Sequence, residues 1–239
     1  MRYLLVLWLL TGMLSLTALA TETDFVQLQQ QITAARKAGE PQHADRLAQS
    51  YYDLAFAQEN QQEQARALYE MANNAMERNN YPTAKQRLEQ ANSLLQHTNA
   101  AKLQANVLRR LGMVYRFQSD YASALKYVYQ AMQRYQALDD KPAIAATYSN
   151  IGVILEKMGQ YETALQAHQQ SLNLYQQLND TDHIASAIYN LGDLFRVLGD
   201  NSQALDYFQQ SLQLDTQRGD QRDIAYSHNK LGYLYADIG

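Results

Sequence analysis

Cysteine is absent from this chain of 239 residues, which excludes disulfide bonds, thiolate catalysis and cysteine-based zinc sites. The chain has only 3 prolines and 10 glycines, so residues that favour β-turns are scarce and the composition predicts an all-helical protein. A basic excess is also missing, because 20 Lys and Arg are set against 24 Asp and Glu, for a net charge of -4. This balance argues against nucleic acid as a partner, since nucleic-acid-binding domains carry a surplus of cations.

The first 20 residues have the composition of a targeting segment. Arg2 precedes a dense apolar run from Tyr3 to Leu10, and Ala18-Leu19-Ala20 provides a small-x-small site. This order is typical of a secretory signal peptide, so we expect cleavage after Ala20 and export, to the periplasm in a bacterium. The alternative is a membrane anchor that stays uncut, because the apolar stretch reaches the lower limit for crossing a bilayer.

A period of forty residues runs through the rest of the chain. Glycines recur at this spacing at Gly112, Gly152, Gly192 and Gly232. Four further series keep the same period: Ala44, Ala84, Ala124, Ala164 and Ala204; Ala105, Ala145, Ala185 and Ala225; Ile144, Ile184 and Ile224; Tyr81, Tyr121 and Tyr161. Internal repeats of 20–50 residues are the signature of arrays in which each unit packs on its neighbours.

Each unit of forty residues contains two helical patterns. In residues 145–184, apolar residues at helical spacing stop at Gly159-Gln160, resume at Tyr161 and end before Leu178-Asn179-Asp180. Glycine suits a helix end that needs left-handed backbone, and Asp180 is suited to cap the next helix. A helix pair cannot bury both of its apolar stripes alone, so successive pairs are expected to stack, with Gly152 and Ala164 allowing a close approach.

The motif resembles that of the tetratricopeptide repeat (TPR) family. The residues that carry the resemblance in one unit are Leu191-Gly192, Phe195, Gly199, Ala204, Phe208 and Ser211. The resemblance implies an all-α, right-handed superhelical solenoid of stacked antiparallel helix pairs, similar to the periplasmic TPR regions of bacterial sensor proteins. The period of 40 departs from the common unit of 34, and we expect the second helix or the loop near Asp140 and Asp180 to hold the additional residues.

The repeats predict the organisation of the chain. After the signal peptide at 1–20, residues 21–64 form a degenerate N-terminal capping repeat, and residues 65–239 form the solenoid. Its units are 65–104, 105–144, 145–184, 185–224 and a partial unit at 225–239. Because the last unit lacks a second helical pattern, we expect this chain to be a fragment of a longer one.

Residues with the spacing of a catalytic or metal site are hard to find. The five histidines include no pair at i, i+3 or i, i+4, and no glycine-rich phosphate loop or nucleophile motif occurs. His168 occupies the register of Val128 and Phe208, which is a packing position. The sequence therefore predicts no enzyme, no cofactor and no metal.

A binding groove is the remaining candidate site. The resemblance implies that the first helix of each pair lines a concave surface, where polar residues recur in register. The predicted peptide-binding residues are Arg109, Arg110, Arg116, Asn150, Lys157, Tyr189, Asn190, Arg196 and Lys230. An asparagine amide can pair with the backbone N–H and C=O of an extended peptide, and the arginines favour an acidic partner or a C-terminal carboxylate. The alternative for Asn150 and Asn190 is a bond to a carbonyl of a neighbouring helix.

Two functions remain open at this stage. The first is an exported, non-catalytic scaffold that binds a protein or an extended peptide. The second is the periplasmic sensory region of a longer membrane-bound signalling enzyme, a histidine kinase or a diguanylate cyclase. We expect the membrane to be a partner only if the signal segment stays uncleaved or a missing C-terminal part spans the bilayer.

Overall fold

A computed structural model describes residues 22–219 and 221–238, with the side chain of Asp237 excepted. The predicted signal segment at residues 1–20 lies outside the described residues. In the described part of the chain no helix is both long enough and apolar enough to cross a bilayer.

The described residues form eleven α-helices and no strand, arranged in two compact units that divide between Ala100 and Ala101. Unit 1 contains α1 (Glu22–Lys37), α2 (Pro41–Ala57), α3 (Gln61–Glu77) and α4 (Tyr81–Leu95). Unit 2 contains α5 (Ala101–Phe117), α6 (Tyr121–Ala137), α7 (Lys141–Lys157), α8 (Tyr161–Gln177), α9 (Thr181–Val197), α10 (Asn201–Arg218) and α11 (Gln221–Ile238). Sequential helices pack against each other within each unit, which confirms the predicted all-α architecture of stacked helix pairs.

Connectors of three residues reverse the chain between successive helices from α1 to α4 and from α5 to α10. The middle residue has left-handed backbone, with φ of 61° at Ser119 and 74° at Gly159. The amide of the next residue then bonds back to the preceding helix, as from Gln160 N to Leu155 O at 2.9 Å. These bonds satisfy helix carbonyls that would otherwise lack a partner.

The last residue of most connectors caps the following helix. Its side chain accepts a hydrogen bond from the backbone N–H three residues later, as Asp180 does from His183 N at 3.2 Å. The residues that cap in this way are Asn60, Asn80, Asp120, Asp140, Asp180 and Asp200. The predicted capping role of Asp180 is confirmed.

The period of 40 follows from helix length. In residues 121–200, all four helices have 17 residues and each connector has three. The extra residues relative to the common TPR unit therefore lie in the helices, and the loops near Asp140 and Asp180 stay short.

The two helices of a pair approach closely where the repeated glycine lies. A Cβ atom added to Gly152 would be 2.5 Å from His168 Cε1, and one added to Gly192 would be 2.8 Å from Phe208 Cδ1. His168 is 1% exposed, as predicted for a packing position, and its Nε2 lies 2.6 Å from Glu156 Oε1. The small residue thus provides the space that the side chain of the second helix fills.

Aromatic side chains fill the rest of the interface within a pair. Phe195 stacks on Tyr207 with ring centroids 5.5 Å apart, and Tyr115 stacks on Tyr127 at 5.2 Å. Tyr235 shares their register but is 54% exposed. This register therefore does not fill a space between helices on α11, which packs on α10 through Leu231 and Leu234.

Unit 1 has its own core, which includes an ion pair. Phe25 and Tyr51 stack at 5.4 Å within an apolar cluster from α1, α2 and α3. Beside it, the carboxylate of Glu70 is buried and lies 2.8 Å from Arg36 Nη1. Gln29 Nε2 also donates to Glu70 Oε1 at 3.4 Å, so several donors compensate this buried charge.

Two substitutions at left-handed connector residues, Gly159→Ala and Ser119→Gly, test the free-energy cost of left-handed backbone for a residue with a Cβ atom. Because no heavy atom would come within 4 Å of a Cβ on Gly159, Gly159→Ala adds strain without a clash and is expected to cost about 1 kcal/mol of unfolding free energy. Ser119→Gly relieves the same strain and is expected to stabilise by up to about 1 kcal/mol. Urea unfolding measures both, and equal stability of the two variants would contradict the account.

Alanine at two glycines of the same register is expected to have opposite effects. Gly152→Ala drives a methyl group into the buried ring of His168 and should destabilise by about 1–3 kcal/mol. Gly232 lies on α11 with nothing within 4 Å of an added Cβ, so Gly232→Ala should stabilise by about 0.5–1 kcal/mol through helix propensity. Thermal unfolding of both variants checks the signs, and a stabilised Gly152→Ala would refute the close approach.

Candidate functional site

The candidate residues all lie on the first helices of the pairs in unit 2, which are α5, α7, α9 and α11. Among these helices α5 contacts α7, and α7 contacts α9, in addition to the contacts within each pair. Side chains near the middle of these helices therefore form one continuous polar surface. We call it the first-helix face and define it by residues 109, 110, 149, 150, 189, 190, 193, 226 and 230.

A hydrogen bond links two first helices at the centre of this face. Asn190 Nδ2 on α9 donates to Ser149 Oγ on α7 at 3.0 Å. Asn190 thus contacts a neighbouring helix, as the alternative interpretation expects, but through a side-chain hydroxyl and not through a backbone carbonyl.

Two tyrosines and a lysine form a cluster between α9 and α11. The rings of Tyr189 and Tyr226 lie 5.1 Å apart, and the two hydroxyls are 3.2 Å apart. Lys230 Nζ lies 5.3 Å from the ring centroid of Tyr189 and 5.5 Å from that of Tyr226. Because Tyr226 is 50% exposed, this cluster presents an aromatic surface beside a cation, which suits contact with an apolar or planar group.

Asp193 reduces the positive charge at this end of the face. Its Oδ1 lies 3.2 Å from Arg196 Nε and 4.0 Å from Lys230 Nζ. The sequence analysis did not select Asp193, although Arg196 three residues later on the same helix was the available signal. Two of the predicted cations are therefore held by a carboxylate of the protein itself.

The other end of the face, on α5, contains arginines without such an acid. Arg109 Nε lies 3.4 Å from Tyr135 Oη, whose hydroxyl donates to Asn106 Oδ1 at 2.6 Å. Arg110 Nη1 lies 3.7 Å from the sulfur of Met113, while its Nε is buried with no hydrogen-bond partner in the described residues. Neither guanidinium forms an ion pair there. The face is thus more positive at α5 than at α9.

The remaining predicted residues lie apart or carry an unpaired group. The guanidinium of Arg116 packs over Phe117 with its carbon 4.1 Å from the ring centroid, and Lys157 is exposed at the end of α7. Asn150 is half-buried, and its Nδ2 is buried without a hydrogen-bond partner in the described part of the chain. Asn150 and Asn190 share a register but differ in whether their amide N–H groups are satisfied.

Burial keeps the phenol of Tyr189 protonated. Desolvation is the largest cause of its raised pKa, and the hydrogen bond with Tyr226 and the charge of Asp193 act in the same direction. Tyr189 therefore offers a neutral hydroxyl to a partner. Within residues 22–219 and 221–238, no three His, Asp or Glu side chains converge to hold a metal ion.

Family comparison agrees with this arrangement of helix pairs. The tetratricopeptide repeat family model matches residues 103–177 and 143–217, which are the helix pairs that form most of the first-helix face. The chain is a helical-repeat protein, and its repeats within residues 103–217 match the tetratricopeptide repeat model. No curated protein matches the chain by sequence.

Solved structures share the fold at low sequence identity. BtubC (BKLC) from P. vanneervenii is similar with a TM-score of 0.67 and 16% identity, over 89% of this chain and 84% of that one. A Rap protein complexed with Competence and Sporulation Factor has a TM-score of 0.70 and 14% identity, over 86% and 64%. A STAND signal transduction ATPase with a tetratricopeptide repeat sensor from Pyrococcus horikoshii has 0.66 and 12%, over 90% and 37%.

Replacing Tyr189 should change how stability depends on alkaline pH. Because its pKa in the folded chain is raised above the ordinary value of 10.0, Tyr189 contributes stability that is complete below pH 10 and is lost as pH rises further. Tyr189→Phe is therefore expected to make the fall in unfolding free energy above pH 10 shallower. Urea unfolding at a series of pH values measures this, with Tyr129→Phe on an exposed surface as the matched phenol deletion. An unchanged slope in Tyr189→Phe would contradict the assignment.

Proposed function

We propose that this protein is a non-catalytic scaffold that binds an extended peptide or a protein segment along the first-helix face. The observation that supports the proposal is the arrangement of half-buried Asn, Tyr, Arg and Lys side chains on adjacent first helices. These side chains can donate hydrogen bonds and form ion pairs. They include no activated nucleophile, and the described residues form no metal site. The similarity in fold to a peptide-bound Rap protein is in keeping with such a role.

The spacing of the repeats suits an extended chain. Packed helices lie about 8–10 Å apart and an extended peptide rises about 3.3 Å per residue, so one asparagine per repeat would meet roughly every third residue. Each such hydrogen bond contributes about 0.5–1.5 kcal/mol net. Affinity therefore depends on several repeats and on charge, which favours an acidic peptide or one with a free C-terminal carboxylate.

Export to a bacterial periplasm is part of the proposal. It rests on the signal-like order of charged, apolar and small residues in residues 1–20. A test is N-terminal sequencing of the chain from a periplasmic fraction, where we expect the mature chain to begin at Thr21.

A sensory role within a longer signalling protein is the second candidate. The observation that favours it is the fold similarity to the repeat sensor of the P. horikoshii signal transduction ATPase, of which the matched region makes up 37%. In this case the same face would bind the signal, and the chain would belong to a membrane-bound kinase or cyclase. Sequencing the reading frame around the codon of Gly239 tests this candidate, because a stop codon there would eliminate it.

Removing one amide from the face tests the proposed function. Peptides selected from a random display library on the immobilised full chain are titrated by calorimetry. Asn190→Ala is expected to weaken binding about 2- to 10-fold, the effect of one hydrogen bond. Gln170→Ala removes an exposed amide from α8 and is the matched control, with unchanged affinity expected. Equal affinity of Asn190→Ala and wild type for every selected peptide would count against the face as the binding site.

A further inference from the structure

Unit 1 contains a cavity of about 530 Å³ between α1, α2 and α3. Its lining includes Val26 and Gln29 of α1, Tyr51 of α2, and Gln62, Glu63 and Arg66 of α3. Small-molecule sites in proteins commonly have volumes of about 300–1,000 Å³. The cavity is therefore large enough for a small molecule, and none of its residues belongs to the first-helix face of unit 2.

Three hydrogen-bonded side chains form one wall of this cavity. Tyr51 donates its hydroxyl proton to Glu63 Oε2, and Arg66 Nε lies 3.2 Å from the same oxygen. Burial raises the pKa of Tyr51, and the hydrogen bond with Glu63 acts in the same direction, so the phenol remains the donor. Because Tyr51 is fully buried and the Glu63 side chain is only 14% exposed, the fold holds this wall in place.

The wall leaves both donors and acceptors for a ligand. Among the described residues Glu63 accepts through Oε2 and Arg66 donates through Nε, so Glu63 Oε1 and the two Nη groups of Arg66 remain. Gln29 donates its Nε2 to Glu70 at 3.4 Å, which leaves its Oε1 as a further acceptor. Gln62 adds an amide that contains a donor and an acceptor. The cavity thus presents hydrogen-bonding groups of both kinds next to each other.

The charges of the lining favour an uncharged ligand. The guanidinium of Arg66 and the carboxylate of Glu63 form an ion pair at 3.2 Å. Glu22 also lines the cavity but is exposed, so solvent and salt screen its charge. A ligand carboxylate would meet Glu63, and a ligand amine would meet Arg66. A hydroxyl group carries no charge and both donates and accepts hydrogen bonds, so a ligand rich in hydroxyls suits this lining.

We propose that this cavity binds an uncharged polyhydroxy compound, a sugar or a polyol. Neighbouring hydroxyls of such a ligand can donate to Glu63 Oε1 and accept from the Nη groups of Arg66. Val26 is 47% exposed and provides an apolar surface for the C–H groups of the ligand. The proposal goes beyond the peptide-binding function, because it assigns a different class of ligand to unit 1.

Titration with D-glucose, D-galactose, myo-inositol and glycerol tests the cavity directly. On the full chain, nuclear magnetic resonance follows the side-chain amide signals of Gln29 and Gln62, with exposed Gln86 on α4 as the reference. We expect saturable shifts at Gln29 and Gln62 with at least one of these probes and no change at Gln86. Tighter binding of the two sugars would identify a sugar site, and the reverse order a polyol site. No saturable shift with any probe, or equal shifts at Gln86, would overturn the proposal.

Small charged probes test the choice of ligand class. Glycine and choline chloride are titrated in the same way, with ionic strength held constant by sodium chloride. We expect both to bind more weakly than the tightest uncharged probe. Tighter binding of choline would assign the cavity to organic cations, and tighter binding of glycine would assign it to zwitterions. Either result would refute the polyhydroxy assignment.

Matched arginine variants test the role of the ion pair. Arg66→Met removes the guanidinium but keeps an unbranched side chain, and is expected to weaken binding of the tightest uncharged probe about 10- to 100-fold, the effect of hydrogen bonds to a charged group. Arg87→Met makes the same change on α4, where Arg87 Nη1 lies 3.4 Å from Gln90 Oε1, and should leave affinity unchanged. Circular dichroism establishes that both variants fold. Unchanged affinity in folded Arg66→Met would refute the proposal.

A milder pair of variants keeps the test decisive if Arg66→Met does not fold. Gln62→Ala removes one amide of the lining and is expected to weaken binding about 2- to 10-fold. Gln86→Ala removes an exposed amide from α4 and should have no effect on affinity. Equal affinity of these two variants would contradict the location of the site.

The outcomes for the cavity and for the first-helix face are independent. We expect Arg66→Met to leave peptide affinity unchanged, and Asn190→Ala to leave binding of the uncharged probe unchanged. Peptide binding without binding of any uncharged probe would support the scaffold and reject the cavity site. Binding of an uncharged probe without peptide binding would support the cavity site and reject the scaffold.

Discussion

Most connectors place one residue in the left-handed backbone region and use the next to cap a helix, so the chain reverses within three residues. Because the four helices of residues 121–200 also have the same length, each of these two repeats advances the chain by the same amount. This constancy decides which side chains meet across the stack. The contacts between Asn190 and Ser149, and between Lys230 and Tyr189, depend on it, since one inserted residue would rotate a helix by about 100°.

The close contact between the two helices of a pair accommodates different side chains opposite the repeated glycine. Val128, His168 and Phe208 each pack on a repeated glycine, although their shapes and polarity differ. The histidine is tolerated because Glu156 on the facing helix lies 2.6 Å from its Nε2. A fixed backbone distance therefore constrains the glycine more strictly than it constrains the side chain that covers it.

The forty-residue period, the helical spacing of apolar residues and the residues at helix ends were sufficient to predict the fold. Gly159 and Asp180 indicated helix ends, because left-handed backbone and capping are local properties of single residues. Left-handed Ser119 and Asn179 escaped notice, since these residues adopt that conformation only when the surrounding connector imposes it. The exposure of Tyr235 could not be predicted either, because it depends on a neighbouring helix and not on register.

The sequence predicted on which helices the candidate residues lie, but not which of their charges are paired with an acidic side chain. Helical spacing placed Asn150, Asn190 and Lys230 on first helices, and that placement is local. Which cations stay without an acid depends on side-chain reach across helices, as between Lys230 and Asp193 at 4.0 Å. The same reach lets Asn190 donate to Ser149 at 3.0 Å, while Asn150 Nδ2 has no hydrogen-bond partner in the described residues. Pairings of this kind become visible only when the distance between two helices is known.

Contacts between residues 41 positions apart join α7 to α9 through Ser149 and Asn190, and α9 to α11 through Tyr189 and Lys230. The residues that approach Gly152 and Gly192 most closely are His168, Tyr207 and Phe208 on the second helices. Exchange of a single pair therefore changes one junction between first helices and leaves the close glycine contacts of the helix pairs in place. The side chains of the first-helix face can therefore diversify one junction at a time, while the distance between paired helices is kept.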